Sequence, residues 1–179
     1  MANIVSAPPA SGILAHGLAP GVRAPELGAP ATCNGRRVEL AEHRGSPVVL
    51  IFYPGDFTPV CTSELGLFNE LLPDMEEIGA NLLAISCDSL WAHMAYAREL
   101  NIKIPLVSDF HPKGEVSRRY DVFREDIGTS ERALFVIDRD GTIFWSHVSP
   151  IELNPGADGV LDALERLTDH RAPTQERRP

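Results

Sequence analysis

Two short apolar segments, each followed by a helical pattern, place the strongest constraint on the fold of this chain. Residues 47–53 and 81–87 are mostly apolar and rich in branched side chains, which is typical of strands covered on both faces. Apolar residues at three- and four-residue steps follow each segment and predict a helix. Two later segments, 133–138 and 142–146, flank an Arg-Asp-Gly turn and predict a β-hairpin. This order predicts an α/β fold with a mixed central sheet flanked by helices.

The helical patterns also predict which residues are buried. The first helix is predicted to run unbroken to near Gly79, and Asp88–Ser89 is predicted to cap the second. A short helix is predicted near 114–120, and a last one is predicted to open at Asn154–Pro155. The predicted inner faces are Leu65, Phe68, Leu71, Leu72, Met75 and Ile78 in the first helix, Leu90, Met94, Ala97 and Leu100 in the second, and Ala157, Val160, Leu161, Leu164 and Leu167 in the last.

Composition divides the chain into one domain and two tails. Residues 1–20 are rich in Ala, Pro, Gly and Ser without a sustained period, which predicts a flexible N-terminal arm. The polar residues 170–179 predict a disordered C-terminal tail. Between them, residues 21–169 are predicted to form one domain, long enough for a full hydrophobic core.

Charge and cysteine content exclude several classes of protein. The formal net charge of −9 argues against a nucleic acid or an anionic membrane as the partner. No apolar segment approaches the roughly 20 residues that span a bilayer, and no Lys or Arg precedes Arg23, so a cytoplasmic location is predicted. Three irregularly spaced cysteines do not form a disulfide framework, and together with six histidines they show no metal-ligand spacing. We therefore predict no metal and no cofactor.

The segment between the first strand and the first helix carries the strongest chemical signal. Thr58 precedes Pro59, and a residue before proline favours an extended backbone. Proline itself suits the first position of a helix, so a helix is predicted to start at Pro59. Thr58 would then cap the helix, and Cys61 would lie in its first turn. The unpaired N–H groups and the positive end of a helix favour a thiolate over a thiol. Cys61 is therefore the candidate nucleophile.

The same segment resembles a known active-site motif. Pro54-x-x-x-Thr58-x-x-Cys61 is similar to the motif of the peroxiredoxins of the alkyl hydroperoxide reductase and thiol-specific antioxidant type. The resemblance continues, in family order, through 84–89 with His93, 131–138 with Gly141, and 154–158. It implies a thioredoxin-like fold with an N-terminal β-hairpin, near residues 32–40, added to the core.

The resemblance implies a role for each motif residue. Cys61 would be the peroxidatic cysteine, which attacks the O–O bond of a hydroperoxide and becomes a sulfenic acid. Thr58 would hydrogen-bond the sulfur and the peroxide, and Pro54 would shield the thiolate from solvent. Arg132 would stabilise the thiolate and the charge on the leaving oxygen. Glu64, one helical turn beyond Cys61, would orient an arginine.

Two further cysteines and one histidine are weaker candidates. Cys87 ends an apolar strand and is predicted to be a buried hydrophobic residue. Cys33 lies in the predicted hairpin, where nothing marks it as reactive. His93 is predicted to have a structural role.

The cysteine positions also bear on how a sulfenic acid is returned to a thiol. The Val-Cys-Pro segment that many two-cysteine members carry near the C-terminus is absent, and position 66 is Gly, where a helix-borne resolving Cys would stand. The predicted default is a one-cysteine-like mechanism with an external thiol, from a thioredoxin-like protein or a small molecule. Cys87 or Cys33 as the resolving thiol is the alternative.

Three functions are weighed against one another. The first is a thiol-dependent peroxidase that reduces hydrogen peroxide and organic hydroperoxides. The second is a disulfide reductase, disfavoured because Thr62-Ser63-Glu64 follows Cys61 in place of a Cys-x-x-Cys pair. The third is a redox-responsive oligomeric holdase or peroxide relay, in which oxidation of Cys61 changes assembly. Since family members usually assemble, a homodimer or a higher homo-oligomer is implied.

Overall fold

A five-stranded mixed sheet forms the core of the computed structural model, which describes residues 17–33 and 35–169. In chain order the strands are β1 (Ala29–Pro30), β2 (Arg37–Val38), β3 (Val48–Phe52), β4 (Asn81–Ser86), β5 (Leu106–Ser108), β6 (Phe123–Arg124), β7 (Thr129–Ser130), β8 (Arg132–Ile137) and β9 (Ile143–Ser149). The helices are α1 (Pro59–Glu70), α2 (Leu72–Glu77), α3 (Leu90–Glu99), α4 (Glu115–Arg119) and α5 (Asp158–Asp169), and a 3₁₀ turn covers Leu40–His43.

The strands of the sheet lie in the order β5-β4-β3-β8-β9. β3, β4 and β5 are parallel, whereas β8 runs antiparallel to β3 and β9 runs antiparallel to β8. Helices α1 to α3 lie in the connections between the parallel strands, because a parallel pair needs a long crossover. The predicted α/β fold with a mixed sheet and a closing hairpin is confirmed.

Alternate side chains of the strands supply two hydrophobic faces. The first face packs Val49, Ile51 and Ala84 against Leu65, Phe68, Met75, Tyr96 and Val160. The second face packs Leu50, Phe52 and Ile85 against Leu27, Ala29, Val116 and Tyr120. Four helices therefore cover the first face, and α4 with the β1–β2 hairpin covers the second.

The boundaries of two predicted helices are wrong. The predicted first helix is two helices. The first, α1, ends at Glu70, and Pro73, which has no backbone N–H to donate, stands in the first turn of α2. The last helix, α5, begins at Asp158 rather than at Asn154–Pro155. Asn154 instead accepts a hydrogen bond from Gly156 N at Oδ1 (3.0 Å), which stabilises a turn before the helix.

The predicted inner face of α3 is wrong in part. His93 and Tyr96 are the buried residues of this helix, which Ser89 caps as predicted. Met94 and Leu100, which were predicted to be buried, are exposed. Apolar spacing does not predict the burial of His93, because this polar residue is buried through hydrogen-bond partners for both ring nitrogens.

Two short hairpins lie outside the central sheet. β1 and β2 form an antiparallel pair over 29–38, close to the hairpin predicted near 32–40. This hairpin packs along the edge strand β5, where Thr32 N donates to Leu106 O (3.0 Å). β6 and β7 form a second pair, for which the sequence carries no signal because two-residue strands show no period.

The predicted N-terminal arm and C-terminal tail consist largely of residues that the structure does not describe. Residues 1–16 of the predicted arm and the whole predicted tail, 170–179, lie outside the described residues, so both stay predictions. Gly17 and Leu18 belong to the fold, because their N–H groups donate to Asp121 O and Tyr120 O. Within 17–33 and 35–169, every helix is too short or too polar to cross a membrane.

Two glycines give opposite expectations for alanine substitution. Gly114 has φ +70° before α4, and a methyl group there would overlap the Phe123 ring, so Gly114→Ala should lower the free energy of unfolding by about 2 kcal/mol. Gly66 lies inside α1 beside open space, so Gly66→Ala should raise the free energy of unfolding by about 0.5–1 kcal/mol. Urea denaturation of both variants measures the changes, and effects of the same sign would contradict this account.

Candidate active site

Cys61 lies in the first turn of α1, as predicted. Thr58 occupies the N-cap position with an extended backbone (φ −87°, ψ 144°), and Pro59 is the first helical residue. The first helical hydrogen bond runs from Thr62 N to Thr58 O (2.9 Å), so the earlier N–H groups have no acceptor within the helix. These N–H groups and the helix dipole favour negative charge on the Cys61 sulfur.

Pro54 and Thr58 lie on the loop that leads into α1. The prediction that the Thr58 side chain caps the helix is wrong, because its hydroxyl donates to Gly55 O (3.1 Å) instead. Thr58 is exposed and Pro54 is half-buried. Within the described residues no hydrogen bond joins Thr58 to the Cys61 sulfur, so the role of Thr58 toward that sulfur stays a prediction.

Strand pairing brings Arg132 to Cys61. β8 pairs with β3 so that Ala133 lies opposite Phe52, and Arg132 therefore lies beside the end of β3 from which the loop departs. Its Nη2 atom donates to the Cys61 sulfur over 3.4 Å. Arg132 is only 1% exposed and Cys61 is 0% exposed. A guanidinium charge in so dry a site acts strongly on a neighbouring thiolate.

Two further acceptors hold the Arg132 guanidinium. Its Nη1 atom donates to Glu64 Oε2, and its Nε and Nη2 atoms donate to Ile151 O over 3.2 and 2.7 Å. Glu64 follows Cys61 by three residues, so both side chains lie on one face of α1. The structure thus brings three of the predicted site residues into one buried cluster. The sequence carries no signal for the Ile151 carbonyl, because any residue supplies a backbone oxygen.

Burial affects the charge of the Glu64 carboxyl. It is fully buried, and burial raises the pKa of Glu64 to about 7, while the Arg132 guanidinium opposes the rise. Among the described residues, only Oε2 of the carboxyl has a hydrogen-bond partner. Glu64 therefore titrates close to neutral pH, beside the contact between Arg132 and Cys61.

The other two cysteines lie away from this cluster, and all three thiols are free. Cys87 follows β4 and lies beside Ser117 of α4, whereas Cys61 belongs to the hydrophobic cluster of the first face. Burial raises the pKa of Cys87 to about 11, and the Asp109 carboxyl adds to the shift, so the Cys87 thiol stays protonated. Cys33 is exposed in the hairpin along β5.

The described part of the chain offers no evident metal centre. Over residues 17–33 and 35–169, the His, Cys, Asp and Glu side chains form no group of three or more that could hold an ion. That the working protein uses neither a metal nor a cofactor stays a prediction.

Comparison with known proteins identifies the family that shares this arrangement. The model of the AhpC/TSA family matches residues 20–146, which is most of the chain. The chain belongs to the AhpC/TSA family. The match to this peroxiredoxin family includes the Cys61 loop, α1 and Arg132, whereas Ile151 lies beyond it.

Individual peroxiredoxins agree with this assignment. Peroxiredoxin 2 of Thermoplasma acidophilum is 34% identical over 136 residues, which are 73% of this chain and 67% of that protein. A peroxiredoxin of Cynops pyrrhogaster is 35% identical over 155 residues, which are 81% of this chain and 76% of that protein. The reduced 2-Cys peroxiredoxin of Plasmodium vivax superposes with a TM-score of 0.77 at 30% identity, covering 84% of this chain and 82% of that one.

The peroxiredoxin fold and activity follow from these matches. The sheet and its helices form the predicted thioredoxin-like fold, and the protein is a thiol-dependent peroxidase. A peroxide and a thiol are therefore its two substrate classes. The alternatives, a disulfide reductase and a holdase or peroxide relay, are not favoured.

The raised pKa of Glu64 predicts a specific pH dependence of stability. A carboxyl whose folded-state pKa lies above its unfolded value stabilises the fold below about pH 4.5, and this contribution is lost as the pH rises through about 7. Glu64→Gln keeps an acceptor for Arg132 but cannot ionise. Compared with the unchanged protein, the variant should therefore gain up to about 3 kcal/mol in free energy of unfolding as the pH rises to about 8.

Urea denaturation across this pH range measures the difference between the two proteins. Glu76→Gln, on the exposed surface of α2, is the control and should show no such trend. A Glu64→Gln difference that falls with rising pH would mean that the Arg132 ion pair outweighs burial and that Glu64 is ionised in the fold.

Proposed function

We propose that Cys61 is the peroxidatic cysteine of this peroxidase and that an external thiol reduces it afterwards. The observation that carries the proposal is the buried contact of 3.4 Å between Arg132 Nη2 and the Cys61 sulfur. The guanidinium and the start of α1 both stabilise a thiolate at this position. Cys87, in contrast, is held as a protonated thiol.

In the first half of the cycle, the Cys61 thiolate attacks the terminal oxygen of a hydroperoxide. An S–O bond forms and the O–O bond breaks, so the sulfur is oxidised to a sulfenic acid and the peroxide is reduced. The other oxygen leaves as hydroxide or alkoxide and takes a proton from solvent to become water or an alcohol. Arg132 stabilises the thiolate before the attack and the charge on the leaving oxygen during it.

We assign supporting roles to three neighbours of this reaction. Pro54 is half-buried at the start of the loop, where its ring would limit the access of water to the sulfur. The Thr58 hydroxyl donates to Gly55 O, which leaves its oxygen lone pairs to accept from the O–H group of the hydroperoxide. Glu64 would hold the Arg132 guanidinium in place through Nη1.

Hydrogen peroxide and organic hydroperoxides are the proposed substrates. The Cys61 side chain is 0% exposed, so a hydroperoxide reaches the sulfur only when neighbouring side chains move aside. Hydrogen peroxide needs the smallest movement of this kind, and we therefore expect it to react fastest.

For the second half of the cycle we propose a one-cysteine-like mechanism. Cys61 belongs to the cluster with Arg132 and Glu64, whereas Cys87 lies beside Ser117 of α4 and Cys33 is exposed in the hairpin along β5, which supports an external thiol. A thiol of a thioredoxin-like protein or a small molecule would attack the sulfenic sulfur, release water and form a mixed disulfide. A second thiol then attacks this disulfide and restores the Cys61 thiol.

The proposal also covers the oligomeric state of the protein and its cellular compartment. We propose a homodimer or a higher homo-oligomer, supported by the exposed apolar side chains of Trp91, Phe57 and Phe110, which a second copy would cover. A cytoplasmic location is the corresponding expectation for the compartment.

Serine substitutions at the cysteines test the assignment of the nucleophile. Cys61→Ser should abolish peroxide turnover, because a serine hydroxyl without an activating base is a far weaker nucleophile than a thiolate. The double variant Cys33→Ser/Cys87→Ser should keep turnover within about twofold of the unchanged protein. Peroxide consumption with dithiothreitol as the reductant measures both variants.

Mass spectrometry of the unchanged protein after peroxide, without added thiol, completes this test. We expect a sulfenic acid on Cys61 that a dione reagent traps. Turnover retained by Cys61→Ser would overturn the assignment of the nucleophile. A disulfide between Cys61 and either Cys33 or Cys87 would overturn only the external-thiol mechanism.

Arg132→Lys tests the guanidinium separately. Lysine keeps the positive charge, but it cannot contact the Cys61 sulfur, the Glu64 carboxyl and a backbone carbonyl in one fixed geometry. The second-order rate constant for oxidation of Cys61 by hydrogen peroxide should fall about 10²-fold. Rapid mixing measures this constant, with Arg98→Lys on the exposed side of α3 as the unchanged control. An equal rate constant in both variants would show that charge alone suffices.

A further inference from the structure

A buried histidine packs against the loop that leads to Cys61. His93 of α3 is 0% exposed, and its Nδ1 atom lies 2.9 Å from Oδ2 of Asp56, a residue of that loop. Its Nε2 atom lies 3.3 Å from Val107 O on β5. A polar side chain is stable in a core only when its polar atoms find partners, and both ring nitrogens of His93 do.

The partners of His93 are acceptors. A carbonyl oxygen only accepts, and the Asp56 carboxylate already accepts a hydrogen bond from the Tyr53 hydroxyl at Oδ1 (2.8 Å). The Tyr53 hydroxyl, which also lies 3.4 Å from His93 Nδ1, keeps its proton because burial raises the pKa of Tyr53 well above its ordinary value. With a proton on Nδ1, the His93 ring donates to the Asp56 carboxylate, whose oxygens only accept.

Asp56 is also held through its backbone. Asp56 N donates to Asp88 Oδ2 (2.9 Å), and the same oxygen accepts from Ser86 Oγ (2.7 Å). The next residue, Phe57, has φ +58°, a left-handed conformation that an aromatic residue adopts only when its surroundings impose it. Because Thr58, the N-cap residue of α1, comes next, the position of Asp56 determines how the loop enters the helix that carries Cys61.

We propose that His93 is a positioning residue of the peroxidase reaction, acting through Asp56 on the loop that carries Pro54 and Thr58. This inference rests on the proposed role of Cys61 and adds a residue outside the cluster of Cys61, Arg132 and Glu64. Without a donor at position 93, the Asp56 carboxylate would lose a buried hydrogen-bond partner. The loop would then move so that water could reach the carboxylate. A displacement of about 1 Å in such a site is enough to slow a reaction about 10²-fold.

Two substitutions at position 93 separate positioning from simple stabilisation. His93→Leu fills the space without a donor. His93→Asn places an amide N–H where Nδ1 stands, because both nitrogens are bonded to Cγ, and this group still donates to Asp56. The second-order rate constant for Cys61 oxidation by hydrogen peroxide should fall about tenfold in His93→Leu and recover to within about threefold in His93→Asn.

Rapid mixing reports two quantities that a purely structural role would affect differently. The amplitude gives the fraction of folded, reactive molecules, and the rate constant describes those molecules alone. A residue that only stabilised the fold would lower the amplitude at an unchanged rate constant. We expect the reverse for His93→Leu under conditions where it is folded: a full amplitude and a lower rate constant.

Asp109→Asn is the matched control for loss of a buried polar contact. Asp109 lies on the second face, where its carboxylate accepts from Val116 N, Ser117 N and Ser117 Oγ. This variant should lose stability without a change in the rate constant. An unchanged rate constant in His93→Leu, or no recovery in His93→Asn, would overturn the proposal. No oxidation of Cys61 in the unchanged protein would instead overturn the proposed function.

Discussion

The antiparallel pairing of β8 with β3 is the constraint on which the site depends. It places Arg132 beside the end of β3, where the loop leaves the sheet. There Arg132 contacts Cys61, which lies 71 residues earlier in the chain. β3 is the central strand and all five of its residues are buried, so this end cannot shift without disturbing both hydrophobic faces. A rigid sheet thus sets the distance between a cation and a thiol that no local interaction would bring together.

The charges of the buried cluster are coupled through one guanidinium. Arg132 has two anionic neighbours when Cys61 and Glu64 are both ionised, and it must divide its donors between them. Burial favours the neutral form of Glu64, which leaves the field of the guanidinium directed mainly at the sulfur. The carboxyl therefore holds the arginine in place without neutralising it fully at low and neutral pH.

Sequence patterns predicted the parts of the site that local rules control. Thr58 and Pro59 determine where α1 begins, and this is enough to place Cys61 in its first turn. Arg132 could be placed only through the family resemblance, because no local pattern states which strand pairs with β3. The burial of His93 escapes sequence patterns for a related reason: it depends on oxygen partners from a loop and from β5, which helical periodicity does not register. The start of α5 and the break before α2 were missed because turn chemistry overrides apolar spacing there.

The two buried thiols, Cys61 and Cys87, have opposite electrostatic surroundings. The Cys61 thiol contacts a cation at the start of a helix, whereas the Cys87 thiol is protonated and lies beside Ser117 of α4. Burial alone therefore does not decide how easily a cysteine of this fold loses its proton. An arginine faces one sulfur and the Asp109 carboxyl acts on the other, so the same core holds one cysteine beside a positive charge and one near a negative charge.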